Sequence, residues 1–187
     1  MTVETTSVRR EVQAMGLVGF AHFLSHFYTL SLPPLFVMIK PELGVSYTEL
    51  GLVVAVSAVG VGILQTPCGF LVDRVGARLV LSAGLALLAL SVILAGFITS
   101  YWALLAVWTL GGIGNSVFHP ADYALLNSSV NEKRLGRAFS IHAFGGSSGL
   151  AVAPFVMLTL AAVYNWRTSL IIAGSVGLVL AGVIAVL

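Results

Sequence analysis

Six long apolar runs follow one another along the chain, at approximately 14–38, 48–70, 79–99, 101–126, 136–162 and 167–187. Each can cross a hydrocarbon core about 30 Å thick, which takes roughly 20 helical residues. Lipid offers the backbone no hydrogen-bond partner, so helices are the expected form. Short polar breaks separate the runs: Lys40-Pro41-Glu42, Asp73 to Arg78, Thr99-Ser100, Asn131 to Arg134, and Asn165-Trp166-Arg167. The pattern predicts an all-α membrane protein, a bundle of six transmembrane helices.

The spans are not uniformly apolar. In the first, His22, Ser25, His26 and Thr29 follow i, i+3, i+4, i+7 spacing and share a face. Asn115, His119 and Asp122 form a stripe in the fourth span, and His142, Gly146, Gly149 and Ala153 form one in the fifth. Gln65 adds a polar group to the second. Exposing such stripes to lipid is costly, so they are expected to face the bundle interior or a wet cavity. Asp122 is the one carboxylate inside a span beyond its first turn, open to two readings: a desolvated proton-binding group, or a solvated charge near the span's end. Small residues, among them Gly112, Gly114, Gly146 and Gly149, predict close helix packing. Pro33-Pro34, Pro67, Pro120 and Pro154 predict kinks or breaks in four spans.

Composition agrees with the pattern. Hydrophobic residues make up 58% of the 187 positions and charged ones 9%, whereas a soluble domain carries roughly a quarter charged. No basic tract suggests nucleic acid. Cys68 is the single cysteine, so no internal disulfide forms. The first apolar run is too long for a signal-peptide core and lacks a cleavage site, so it is read as a retained span. Arg9, Arg10, Arg74, Arg78, Lys133, Arg134 and Arg137 fall on one side of the expected topology, and only Lys40 and Arg167 on the other. This split predicts a cytoplasmic N-terminal tail over 1–11, ahead of the bundle over 12–187, in the cell membrane.

Two segments hint at an internal repeat. Arg78 to Gly84 opens the third span and Arg167 to Gly174 the sixth; both read Arg, then Leu three on, then Ala-Gly, with a one-residue slip. This fits two three-helix units of opposite topology. The segment Gly69-Phe70-Leu71-Val72-Asp73-Arg74-Val75-Gly76-Ala77-Arg78 resembles the loop motif G-x-x-x-D-R-x-G-x-R of the major facilitator superfamily. Asp73 beside Arg74 and Arg78 predicts charge pairs that tie helix ends together in one conformation, with Gly76 supplying the turn. The segments Gly112 to Pro120 and Gly136 to Gly146 look like the fosmidomycin-resistance branch. Two departures stand out: Trp108 replaces an arginine that many members carry, and the antiporter-type motif is partial at Gly149 and Ala153-Pro154.

The resemblance implies half of a twelve-span carrier, a 3+3 inverted repeat working by alternating access. It implies proton-coupled export of a small drug-like or anionic molecule, an antiporter, with no enzymatic chemistry. Substrate would sit between this bundle and a second six-helix half, lined here by His22, His26, Gln65, Asn115 and His119. Asp122 or a histidine, His142 included, would couple the proton. Because the chain stops inside an apolar run, the missing partner is read as an absent C-terminal half in preference to a second copy. The alternatives are a non-transporting scaffold or regulatory partner and an oligomeric channel-like pore. A metal site is not expected: no cysteine or second intramembrane carboxylate completes a ligand set, and the spans place His22 and His26 at mid-membrane but His119 and His142 nearer the cytoplasm. No cofactor is expected.

Overall fold

Pro33 has no N–H to donate to the carbonyl of Thr29, and Pro120 has none for that of Ser116. The chain breaks at both places. In the computed structural model, which describes residues 8–186, the first rod is α1 (Val8–Thr29), a 3-10 turn at Pro33–Leu35, and α2 (Phe36–Leu43). The fourth rod is α5 (Tyr101–Asn115) followed by α6 (Phe118–Ser129), with Pro120 tolerated in the first turn of α6. The other rods are α3 (Tyr47–Val75), α4 (Ala77–Ala95), α7 (Leu135–Val163) and α8 (Trp166–Val186). Pro67 and Pro154 lie inside α3 and α7, which continue past them. Four helices, α3, α4, α7 and α8, are each long and apolar enough to cross a membrane unbroken.

Local chemistry sets the ends. Ser46 and Glu49 form a reciprocal capping box at the start of α3. Gly44 closes α2 at φ 67°, and Gly76 turns the chain from α3 into α4 at φ 95°. Two expected boundaries move. Residues 8–11 are helical, with Glu11 buried, so only 1–7 of the expected tail lie outside the described residues. Lys40-Pro41-Glu42 is the last stretch of α2 rather than a loop.

The rods pair as α4 with α8, α1 with α7, and α3 with α5. Exchanging the first three rods for the last three maps these three pairs onto themselves, as in an inverted repeat, although α4 also packs closely on α5 without an equally close α1–α8 counterpart. The α4–α8 pair shows what the faint repeat encodes. Arg78, at the start of α4, donates to the carbonyls of Ile184 and Ala185 at the end of α8 (3.0 and 2.6 Å). Arg167, at the start of α8, donates to the carbonyls of Gly96 and Ile98 just beyond α4. Each helix thus satisfies orphan carbonyls at its antiparallel neighbour's C-terminus. Between them Ser82 Oγ donates to the Ala181 carbonyl, and Gly174 leaves room for the Ala89 carbonyl, 2.7 Å from where its Cβ would stand.

Ion pairs close both ends of the bundle. At one, Arg134 grips Glu11 with two bonds of 2.7 and 2.6 Å. At the other, Glu42 accepts from Trp166 Nε1 at 2.6 Å and from Arg167. The Arg167 guanidinium, and then the Trp166 N–H, hold the Glu42 carboxyl below its ordinary range. A carboxyl lowered by folding stabilises the fold above its unfolded pKa, and that stabilisation is lost as pH falls through the lowered value. Arg167→Ala is therefore expected to cost roughly 1–2 kcal/mol near neutrality, read as an earlier thermal transition in tryptophan fluorescence. The difference from wild type should shrink once the pH drops below about 4. Exposed Arg74, replaced by Ala, should leave the transition in place.

Candidate functional site

Helices α1 and α7 touch backbone to backbone because glycines line their crossing. A Cβ at Gly145 would stand 2.6 Å from the Gly19 carbonyl, and one at Gly149 would strike the Phe23 carbonyl. A Cβ at Gly146 would stand 2.9 Å from the ring of His22 and 3.1 Å from that of His26. The expected stripe on α7 therefore holds: His142, Gly146, Gly149 and Ala153 are all buried along this seam. Helix α6 packs across it and brings His119 and Asp122.

The result is a cluster of four imidazoles around one carboxylate. Asp122 is fully buried. Its Oδ2 accepts from His22 Nδ1 and from His142 Nε2, each at 3.0 Å. With Asp122 ionised, those hydrogen bonds assign the protons of His22 and His142 to these nitrogens and leave each ring one free lone pair. The rings of His22 and His142 stack with centroids 3.6 Å apart. His26 and His119 flank them at 4.5 and 5.2 Å from His22, and Tyr123 borders His142 at 5.5 Å. Among the described residues, two buried polar atoms find no partner: His119 Nδ1 and Asp122 Oδ1.

This geometry corrects the sequence reading in three respects. Asp122 is not a solvated charge near a span end. The four histidines do not separate by depth, since His22, His119 and His142 each bring a ring nitrogen within 4.8 Å of the others. The stripe of Asn115, His119 and Asp122 is divided by the break after α5. Asn115 instead approaches Thr29 (3.5 Å) beside a small cavity of about 50 Å³, lined also by Tyr28, Ser57, Trp108 and Gly112. Gln65 lies on α3 one turn past Val61, another residue of that lining, and makes no side-chain hydrogen bond among the described residues. Ser25 and Thr29 bond back to carbonyls of α1 itself.

The loop motif is also rearranged. Gly76 makes the turn as expected, but Asp73 and Arg74 are exposed and form no ion pair among the described residues. Arg78 serves α8 instead, and nothing stands within 4 Å of a Cβ at Gly69. Gly112 and Gly114 are packing positions: added Cβ atoms would stand 2.6 Å from Ser57 Oγ and 2.7 Å from the Gly84 carbonyl. The spacing did not single out Tyr123, Glu11 or Glu42; only their partners in space reveal them.

Residues 18–187 match the sequence profile of the Major Facilitator Superfamily. The chain belongs to that superfamily. Membership puts it among multi-pass membrane transport proteins and not enzymes. A "Probable L-galactonate transporter" of Escherichia coli is 32% identical over 95% of this chain and 39% of its own length. A "Probable sulfoacetate transporter" of Cupriavidus necator is 26% identical over 88% of the chain and 38% of itself. The "Fosmidomycin resistance protein" of Escherichia coli is 23% identical over 86% and 39%. The expected fosmidomycin-resistance branch is thus one similarity among several and is not singled out. The chain spans about two-fifths of the length of these relatives.

Neutral imidazoles around an ionised Asp122 would carry one net negative charge in a low-dielectric interior, which favours a compensating positive partner. Burial and the shared carboxylate should protect His22 and His142 from diethyl pyrocarbonate, with half-buried His26 and His119 reacting first. Asp122→Ala should raise the reactivity of the protected pair roughly tenfold, since hydrogen bonds to a charged group contribute about 1.5–3 kcal/mol. Mass spectrometry of the modified chain in nanodiscs reads both; equal labelling of all four rings in the wild type would contradict this arrangement.

Proposed function

We propose that this chain is the proton-handling half of a secondary carrier for a small organic anion. The observation that carries the reading is the fully buried Asp122 shared by two imidazoles. An intramembrane carboxylate held this way binds and releases a proton as access alternates. His26 and His119, at the half-buried edge of the cluster, would offer ring N–H groups to an anion. The names of two relatives support the substrate class, since galactonate and sulfoacetate are both small anions. Export of a drug-like compound draws support only from the fosmidomycin-resistance similarity.

The carrier would need a second six-helix half, either a C-terminal continuation or another copy. Substrate would bind between the halves, with Asn115 and Gln65 lining this side. The clustering of basic residues supports an N-terminus in the cytoplasm of the cell membrane. Exposed Asp73 and Arg74 would then latch against the second half in one state.

The test is transport by this bundle together with its second half in proteoliposomes, using L-galactonate as probe. An imposed pH gradient should drive its accumulation. Asp122→Asn should abolish the response to the gradient while exchange of labelled for unlabelled substrate persists. The sign of the gradient that drives filling distinguishes uptake from export. If Asp122→Asn, His26→Ala and His119→Ala all follow the gradient as wild type does, the proton reading is wrong. Steady ion currents without saturation would instead favour a pore.

A further inference from the structure

Three imidazoles that converge inside a membrane bundle are more than one carboxylate needs. Asp122 Oδ2 is satisfied by His22 and His142. His119 is not used by that network, yet its buried Nδ1 has no partner among the described residues, and neither does Asp122 Oδ1. Buried polar atoms are ordinarily paired, so an unpaired nitrogen and an unpaired carboxylate oxygen in one cluster are an unmet demand for hydrogen-bond or cationic partners. We infer that His22, His119 and His142 form a binding site for one borderline-soft divalent transition-metal ion of the zinc class, with Asp122 as its carboxylate partner.

The donor chemistry selects the ion. Three neutral imidazoles suit Zn²⁺, Co²⁺ or Ni²⁺ and not Mg²⁺ or Ca²⁺, which take oxygen. Their nitrogens lie within 4.8 Å of one another. Around a tetrahedral zinc with bonds near 2.0–2.1 Å they would stand about 3.3 Å apart. Closing that gap requires the rings to turn about their side-chain torsions so that the nitrogens not bonded to Asp122 converge. Asp122 already holds two of the rings through their N–H groups, the arrangement in which a carboxylate orients a metal-bound histidine and raises its basicity. The dication more than offsets the one negative charge of Asp122 and leaves one net positive charge, which an anionic fourth ligand such as hydroxide would balance. His119 is half-buried and gives the ion a way in. Gly146 leaves the rings free to turn, because a side chain there would run into His22 and His26.

The inference stands on the geometry alone and does not depend on proton transfer, so its test reads binding and not transport. The tag-free chain in nanodiscs is titrated with Co²⁺, whose tetrahedral complexes absorb in the visible. One Co²⁺ per chain is expected, with a visible band that Zn²⁺ bleaches and Mg²⁺ does not. His119→Ala and His142→Ala, each shown to unfold at the wild-type temperature, should lose the band. His119→Gln serves where the alanine variant fails to fold. Absence of the band at equimolar Co²⁺, or its persistence in the folded variants, overturns the site.

Discussion

One oxygen atom organises this bundle. Oδ2 of Asp122 is the acceptor for two imidazoles from two different helices, in a setting where an unpaired carboxylate would be very costly. The requirement propagates outward. For His22 and His142 to meet at one atom, α1 and α7 must cross at backbone distance, and so the seam is glycine. For α6 to deliver Asp122 between them, the fourth rod must change direction, and so it breaks ahead of Pro120. The small residues, the proline and the polar stripes are separate features in the sequence but one constraint in space.

Much of this was legible along the chain. Apolar runs and their polar breaks mark the six rods, because lipid permits little else. Helical spacing placed His22 with His26, and His142 with Gly146 and Gly149, because within one helix spacing is geometry. What failed were statements that needed two helices at once, or a straight rod. Residue counting gives depth only along an unbroken span. The fourth rod breaks, and so His119 and Asp122 arrive beside His22 instead of lying below it. Neighbours in sequence suggest Arg74 and Arg78 as ionic partners for Asp73, which stands exposed and unpaired among the described residues. Arg78 in fact reaches carbonyls of α8 more than a hundred residues away. Glu11 and Glu42 passed as ordinary tail and loop charges because nothing local distinguishes them from such charges.

The two breaks also divide the polar groups into two environments. Asn115 and Thr29, each at the end of a helix, stand together at the small cavity that Trp108 also lines. His22, His142 and Asp122 sit further along, buried against α7, with His26 and His119 half-buried at their edge. A group that recognises a solute must be reachable, whereas a group that stores charge is best kept dry, and here adjacent turns of the same rods separate those needs.

The reciprocal arginines of α4 and α8 bear on how such a bundle is made. Ribosomes deliver α4 long before α8, yet the carbonyls at the end of α4 await Arg167, and Arg78 awaits residues 184 and 185, 106 and 107 positions downstream. Until the last rod enters the bilayer, the third carries an arginine with no acceptor and a C-terminus with no cap. Biogenesis therefore passes through an intermediate whose polar ends must be borne by water, lipid headgroups or the insertion machinery. The sixth rod is the clasp, and its arrival closes the bundle from both ends at once.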